Sequence, residues 1–194
     1  MRGMKWAVAI LAIAVVIMGY FLWQNNDDSQ TTNQNNQSSQ SQQTQETTGS
    51  TVDLSGQGLT QLPASVLNNT SVETLILSNN SIKTLPSEIG RLTNLKILRL
   101  DHNLLEGALP AEIRMMSGLT ELDVSNNRMT GIPAEIGQLS KLKTLDYSNN
   151  QITGLPLELG NLTQLETFDL SGNNPSQQDL SQIQAKLTNT NIIL

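Results

Sequence analysis

From residue 49 onward, apolar side chains return on a fixed schedule. Equivalent positions fall at Gly49, Val72, Leu95, Leu119, Leu142 and Leu165, giving spacings of 23, 23, 24, 23 and 23 residues. Each unit holds an alternating apolar pair: Val52/Leu54, Leu75/Leu77, Leu98/Leu100, Leu122/Val124, Leu145/Tyr147 and Phe168/Leu170. Period-2 alternation predicts one short strand per unit with one face buried. A lone strand of this kind cannot bury its own face. Stacking like strands in register makes a shared core and pairs their backbone groups. Later in each unit comes a proline (Pro63, Pro86, Pro110, Pro133, Pro156), which restricts the backbone where the chain turns back. Ile89, Leu92, Ile136 and Leu139 follow, spaced to fill the far side of the core. With a glycine two or three residues on, that stretch reads as a single helical or 3-10 turn.

Other columns refine the picture. Asn80, Asn103, Asn127, Asn150 and Asn173 sit where the chain leaves the strand, where a buried amide can satisfy backbone groups stranded by the turn. The first unit has Gln57 instead, as fits an atypical capping unit. The third unit is one residue longer, around Leu105 to Leu109, which predicts a local bulge. Its return side has Arg114, Met115 and Met116 where other units place Gly or a polar residue. After the sixth unit, Ser176 and Asp179 form a capping-box pattern, and Leu180, Ile183 and Leu187 share one helical face. Ile192 and Leu194 repeat the strand pair, so residues 176–194 read as a C-terminal cap ending in a seventh strand.

The first 50 residues follow other rules. Residues 1–5 carry Arg2 and Lys5, and residues 6–23 are free of charge. As a helix, such a stretch spans roughly 27 Å, close to the hydrocarbon thickness of a bilayer. Trp6, Tyr20 and Trp23 lie near its ends, where aromatic rings favour the headgroup region. The run ends in bulky residues rather than a small-residue cleavage pattern, so an uncleaved signal-anchor is expected over a removed leader. Arg2 and Lys5 precede the run while Asp27 and Asp28 follow it, which keeps the N-terminus cytoplasmic and sends residues 24–194 across. Residues 24–50, rich in Gln, Asn, Ser and Thr, contain no apolar side chain, so a disordered linker is expected there.

Units of the form LxxLxLxxNxL, such as LKTLDYSNNQI at 142–152, resemble the leucine-rich-repeat family across residues 51–194. The variable halves LPSEIGRL (85–92), IPAEIGQL (132–139) and LPLELGNL (155–162) are similar to the 23-residue bacterial and Ras-suppressor-like subclass. That resemblance implies an α/β right-handed solenoid. It implies a parallel sheet on the concave face and short helical or 3-10 turns on the convex face. It also implies a recognition module rather than an enzyme.

Charge and composition narrow the function. The chain has net charge −6, which disfavours a nucleic-acid partner. Cysteine is absent, which removes disulfides, thiolate chemistry and Cys-based zinc sites. The sole histidine, His102, follows the third strand at a position held by Asn79, Asn126 and Asn149 elsewhere. With no second histidine and no phosphate loop, it reads as a surface or ligand-contacting residue rather than a catalytic base. No cofactor is implied. Asp53, Asp123, Asp146 and Asp169 recur at the outward strand position. Two accounts fit them: a recurring Asp-x-Ser consensus, or an acidic row for a cation or basic partner. In the second and third units that column reads Ile76 and Arg99, with Asp101, His102 and Leu104 nearby. Such a patch has the make-up of a binding hot spot, with sequence drift as the rival account.

The candidate ligand-binding set is therefore Ile76, Arg99, Asp101, His102, Asp123, Arg128, Asp146 and Asp169. The expected function is recognition of a protein or peptide partner through the concave face, outside the membrane, with residues 6–23 in the lipid bilayer. The alternative is a structural envelope or adhesion component that binds cell-envelope glycan or self-associates.

Overall fold

The computed structural model describes residues 50–194. The expected membrane helix at 6–23, and the linker up to residue 49, lie outside the described residues. Among the described residues, no helix is long and apolar enough to cross a membrane.

Seven strands form one parallel sheet in the order β1-β2-β3-β5-β7-β8-β9. They are β1 (Ser50–Asp53), β2 (Val72–Ile76), β3 (Ile97–Arg99), β5 (Glu121–Asp123), β7 (Thr144–Asp146), β8 (Thr167–Asp169) and β9 (Asn191–Ile193). The core-facing pairs of units two to six, Leu75/Leu77 through Phe168/Leu170, are buried, while Val52 and Leu54 of the first unit are partly covered. The return side holds a four-residue α-helix, Ala64–Leu67. Four 3-10 turns follow at Ser87–Arg91, Ala111–Met115, Ala134–Gln138 and Leu157–Asn161. Each follows its proline, and Ile89, Leu92, Ile136 and Leu139 below them are fully buried. Strands stack about 4.8 Å apart. The helical turns line the opposite side of the core. Gly137 shows how tight the turn side is: a Cβ there would lie 2.3 Å from the Glu158 carbonyl oxygen.

Met116 departs from expectation. It does not stand in a polar column but fills the core position of Leu92, Leu139 and Leu162, and is fully buried. Arg114 occupies the glycine column, and Met115 is exposed.

The extra residue of the third unit is absorbed at β4 (Glu106–Gly107), which pairs with β6 (Arg128–Met129) as a separate two-stranded parallel sheet. Gly107 adopts φ 70° there, a left-handed conformation that glycine enters without a Cβ clash. At the far end, Ser176 caps the helix Gln177–Gln184 by accepting the Asp179 N–H at 3.3 Å. The reciprocal half of the capping box is not made: Asp179 Oδ2 accepts the Leu155 N–H, and the Ser176 N–H donates to the Thr153 carbonyl. The seventh strand forms with Ile192 partly buried beside Phe168, while Leu194 is exposed.

The asparagine column joins neighbouring units. Asn127 Nδ2 donates to the carbonyls of Val124 and Ser125 in its own unit and of Leu100 in the preceding one, each at 3.0 Å. Its Oδ1 accepts the Leu105 N–H at 2.9 Å. Asn80, Asn103, Asn150 and Asn173 repeat this arrangement. Beside this ladder, Tyr147 takes a position that other units give to Leu or Val, with the smaller Val124 next to it in the preceding unit. Its ring is fully buried and its hydroxyl has no hydrogen-bond partner among the described residues. Burial pushes the phenol pKa up.

Asn127→Ala is expected to destabilise the domain by about 3 kcal/mol or more, because it strands buried backbone groups of two units; Asn127→Asp, which lacks the donors, should fare no better. Urea unfolding checks both. Tyr147→Phe, which removes an unpaired buried hydroxyl, should be neutral or stabilising by roughly 1 kcal/mol in the same measurement.

Candidate recognition surface

Parallel pairing sets the outward side chains in rows that cross the strands. One row runs Asp53, Ile76, Arg99, Asp123, Asp146, Asp169, Ile193. The row beside it runs Thr51, Thr74, Ile97, Glu121, Thr144, Thr167, Asn191. Seven of the eight residues expected to bind a ligand lie in the first row or directly after its strands. Arg128 does not: it is in β6, in the two-stranded sheet, and is thus off the seven-stranded face.

The acidic residues have a local reason to recur. Asp53, Asp123, Asp146 and Asp169 each accept, through Oδ1, the backbone N–H of the serine two residues on, at 2.8–2.9 Å. This side-chain turn ends the strand. It also lowers the Asp53 pKa, mainly through the Ser55 hydrogen bonds. At Asp123 the balance reverses. Desolvation is the largest influence and, with the charges of Asp146 and Asp101, holds its pKa above the ordinary value despite the bonds from Ser125.

Units two and three break this pattern together. Ile76 and Arg99 are direct neighbours across β2 and β3. Arg99 Nε donates to Glu121 Oε1 at 2.7 Å. That bond and the charge of Glu121, with Asp123 and Asp101 beyond, raise the guanidinium pKa. Asp101 accepts from Ser78 Oγ through Oδ1, and its Oδ2 lies 3.0 Å from His102 Nδ1. The carboxylate therefore stands between serine and histidine. A serine nucleophile needs its hydroxyl on the histidine instead, so this chain of contacts orients His102 without activating Ser78. Among the described residues, no cluster of metal-ligating side chains forms.

His102 shares the left-handed turn that follows the strand in the other units. Its φ is 53°, in the left-handed region, where the equivalent positions hold Gly56, Asn79, Asn126, Asn149 and Gly172. Glycine enters that region freely, and asparagine and histidine are enriched there among other residues, so His102 changes the chemistry of the column and not its backbone. Glu121 and Ile97, which flank Arg99 and Ile76 on the face, were missed by sequence reasoning that followed a single column. The second outward position of each strand was the available signal. A recess of about 640 Å³ opens beside the first unit, lined by Leu59, Leu62, Pro63 and Pro86 among others. None of the candidate residues lines it.

A parallel sheet backed by short turns, repeated every 23 or 24 residues, defines a repeat solenoid. The leucine-rich-repeat family model matches residues 50–105 and 117–174, and the chain belongs to that family. A leucine-rich-repeat protein of Leptospira interrogans is 31% identical with a TM-score of 0.55, over 70% of this chain and 40% of its own length. The BIR3–SERK2 complex of Arabidopsis thaliana contains a chain 29% identical with a TM-score of 0.57, over 66% of this chain and 69% of that one. The adenylate cyclase of Schizosaccharomyces pombe is 38% identical over 81 residues, which are 42% of this chain and 5% of the cyclase. The chain thus spans well under half of the Leptospira protein and a small fraction of the cyclase.

Asp123→Asn keeps an acceptor for the Ser125 N–H and removes a disfavoured charge. A carboxylate with a raised folded-state pKa costs stability where it is ionised, and that cost fades as pH falls and the folded state takes up the proton. The variant should therefore melt roughly 1–2 °C higher than the parent at pH 7, and the difference should vanish below about pH 3. Thermal melts at the two pH values check it.

Proposed function

We propose that this chain is a non-catalytic recognition module that binds a protein or peptide through the outer face of its seven-stranded sheet. The contact centres on Ile76, Arg99, Asp101 and His102. The observation that carries this reading is their coincidence: the residues that leave the repeat pattern are neighbours on one face, with Asp101 and His102 in contact. A regular solenoid offers a stiff background, so side chains at the patch are positioned before a partner arrives, which reduces the ordering cost of binding.

The repeat lengths and the LPxEIGxL halves favour the 23-residue bacterial subclass. In this reading residues 6–23 form a membrane-spanning signal-anchor, residues 24–50 a spacer, and the repeats face the extracytoplasmic side. The bias of Arg2 and Lys5 supports that orientation. In the BIR3–SERK2 complex a similar chain is part of an assembly between proteins, which favours protein over glycan as the partner here.

The test is crosslinking on intact cells with the full chain, comparing the parent with Ile76→Asp/Arg99→Glu. The double variant should lose captured partners at least about tenfold while keeping its melting temperature within roughly 2 °C. Unchanged capture of every partner, or labelling from the cytoplasmic side only, overturns the reading.

A further inference from the structure

This inference rests on the binding reading above and names the chemistry of the partner. We infer that the sheet face takes an extended protein segment with an apolar side chain followed, about three to six residues away, by lysines or arginines.

The face is chemically divided along the row. At the β2–β3 end, the outward Ile76 and Ile97 lie on adjacent strands, each partly exposed. Beyond Arg99, three adjacent strands present Asp123, Asp146 and Asp169 in register. Among the described residues no basic side chain forms an ion pair with these carboxylates, although Arg99 lies beside Asp123 in register. Arg99 is bonded to Glu121, while Lys96 and Lys143 at the flanks pair with Glu73 and Glu166 at 2.9 and 2.8 Å. The charge of the face is therefore negative over β5, β7 and β8, with Ile76 and Ile97 on one side of it and the exposed Ile193 on the other. A cationic segment is the complement.

Spacing sets the partner's pattern. At about 4.8 Å per strand, Asp123 is roughly 10 Å and Asp169 roughly 19 Å from the Ile76 strand. An extended chain advances about 3.3 Å per residue, which puts basic side chains about three to six positions from the apolar one. The chemistry also excludes rivals. Nucleic acid is repelled by the same row, and a second copy of a chain with net charge −6 is disfavoured at an acidic face.

The experiment selects a random 12-residue peptide library on the full chain held in nonionic detergent. Enriched peptides are then measured by fluorescence polarisation against the parent, Asp123→Asn/Asp146→Asn/Asp169→Asn, and Ile76→Asp/Arg99→Glu. Asparagine keeps the acceptor for each serine N–H, so the triple variant retains the turns that end its strands. The expected result is a set of basic peptides with the stated spacing. Their affinity should fall at least about tenfold in the triple variant and weaken with added salt. Neutral or acidic peptides that ignore the triple variant but fail on the double variant overturn the cationic partner and leave the binding face standing. Peptides indifferent to both variants overturn both. Failure to enrich any peptide overturns the inference.

Discussion

Every unit of this domain depends on buried backbone groups that its own chain cannot satisfy. The strand ends, the chain turns away, and carbonyls and amides are left inside. From the second unit on, one asparagine answers them, reaching carbonyls in its own unit and the preceding one while accepting an amide from that preceding unit. The cost of an unpaired buried group makes this requirement strict. It also explains where length variation is tolerated. The additional residue of the third unit lies between Leu105 and Asn127, yet the ladder bond from the Leu105 N–H to Asn127 Oδ1 keeps its 2.9 Å length. The excess is shed into Gly107 and the small β4–β6 pair, away from the ladder.

A scaffold so constrained leaves few places for function. The core pairs are used by packing, the asparagines by the backbone, the prolines and Gly137 by the return turns. Even the aspartates that look like a ligand site first serve to end their strands. What remains free is the outward face, and there units two and three depart from the others at neighbouring positions. His102 beside the Asp101 carboxylate held by Ser78, and Arg99 held by Glu121, lie next to each other on that face. Departures from a repeat that fall together on one face are harder to attribute to drift than scattered ones.

The repeat made most of the architecture legible in advance. Strand pairs, turn positions, the asparagine role and the seventh strand follow from columns 23 or 24 residues apart, and the helix cap at Ser176 from its capping pattern. The misreadings occurred where one residue's meaning depended on alignment at the finest scale. Met116 was assigned to a polar column and is core. Arg128 was grouped with the concave set and belongs to the second sheet. The capping box is half made because Asp179 serves Leu155 instead.

Periodicity thus determined the fold by itself, since identical units can only bury their apolar faces against one another and the pattern of those faces is written locally. Tertiary structure decided which outward residues meet. Arg99 and Glu121 are 22 residues apart in sequence, and Ser78 and Asp101 are 23 apart. Their contact, like the crowding that raises the Asp123 pKa, arises only when strands stack about 4.8 Å apart in a defined register. Register converts one-dimensional columns into a surface, and the candidate site is a property of that surface.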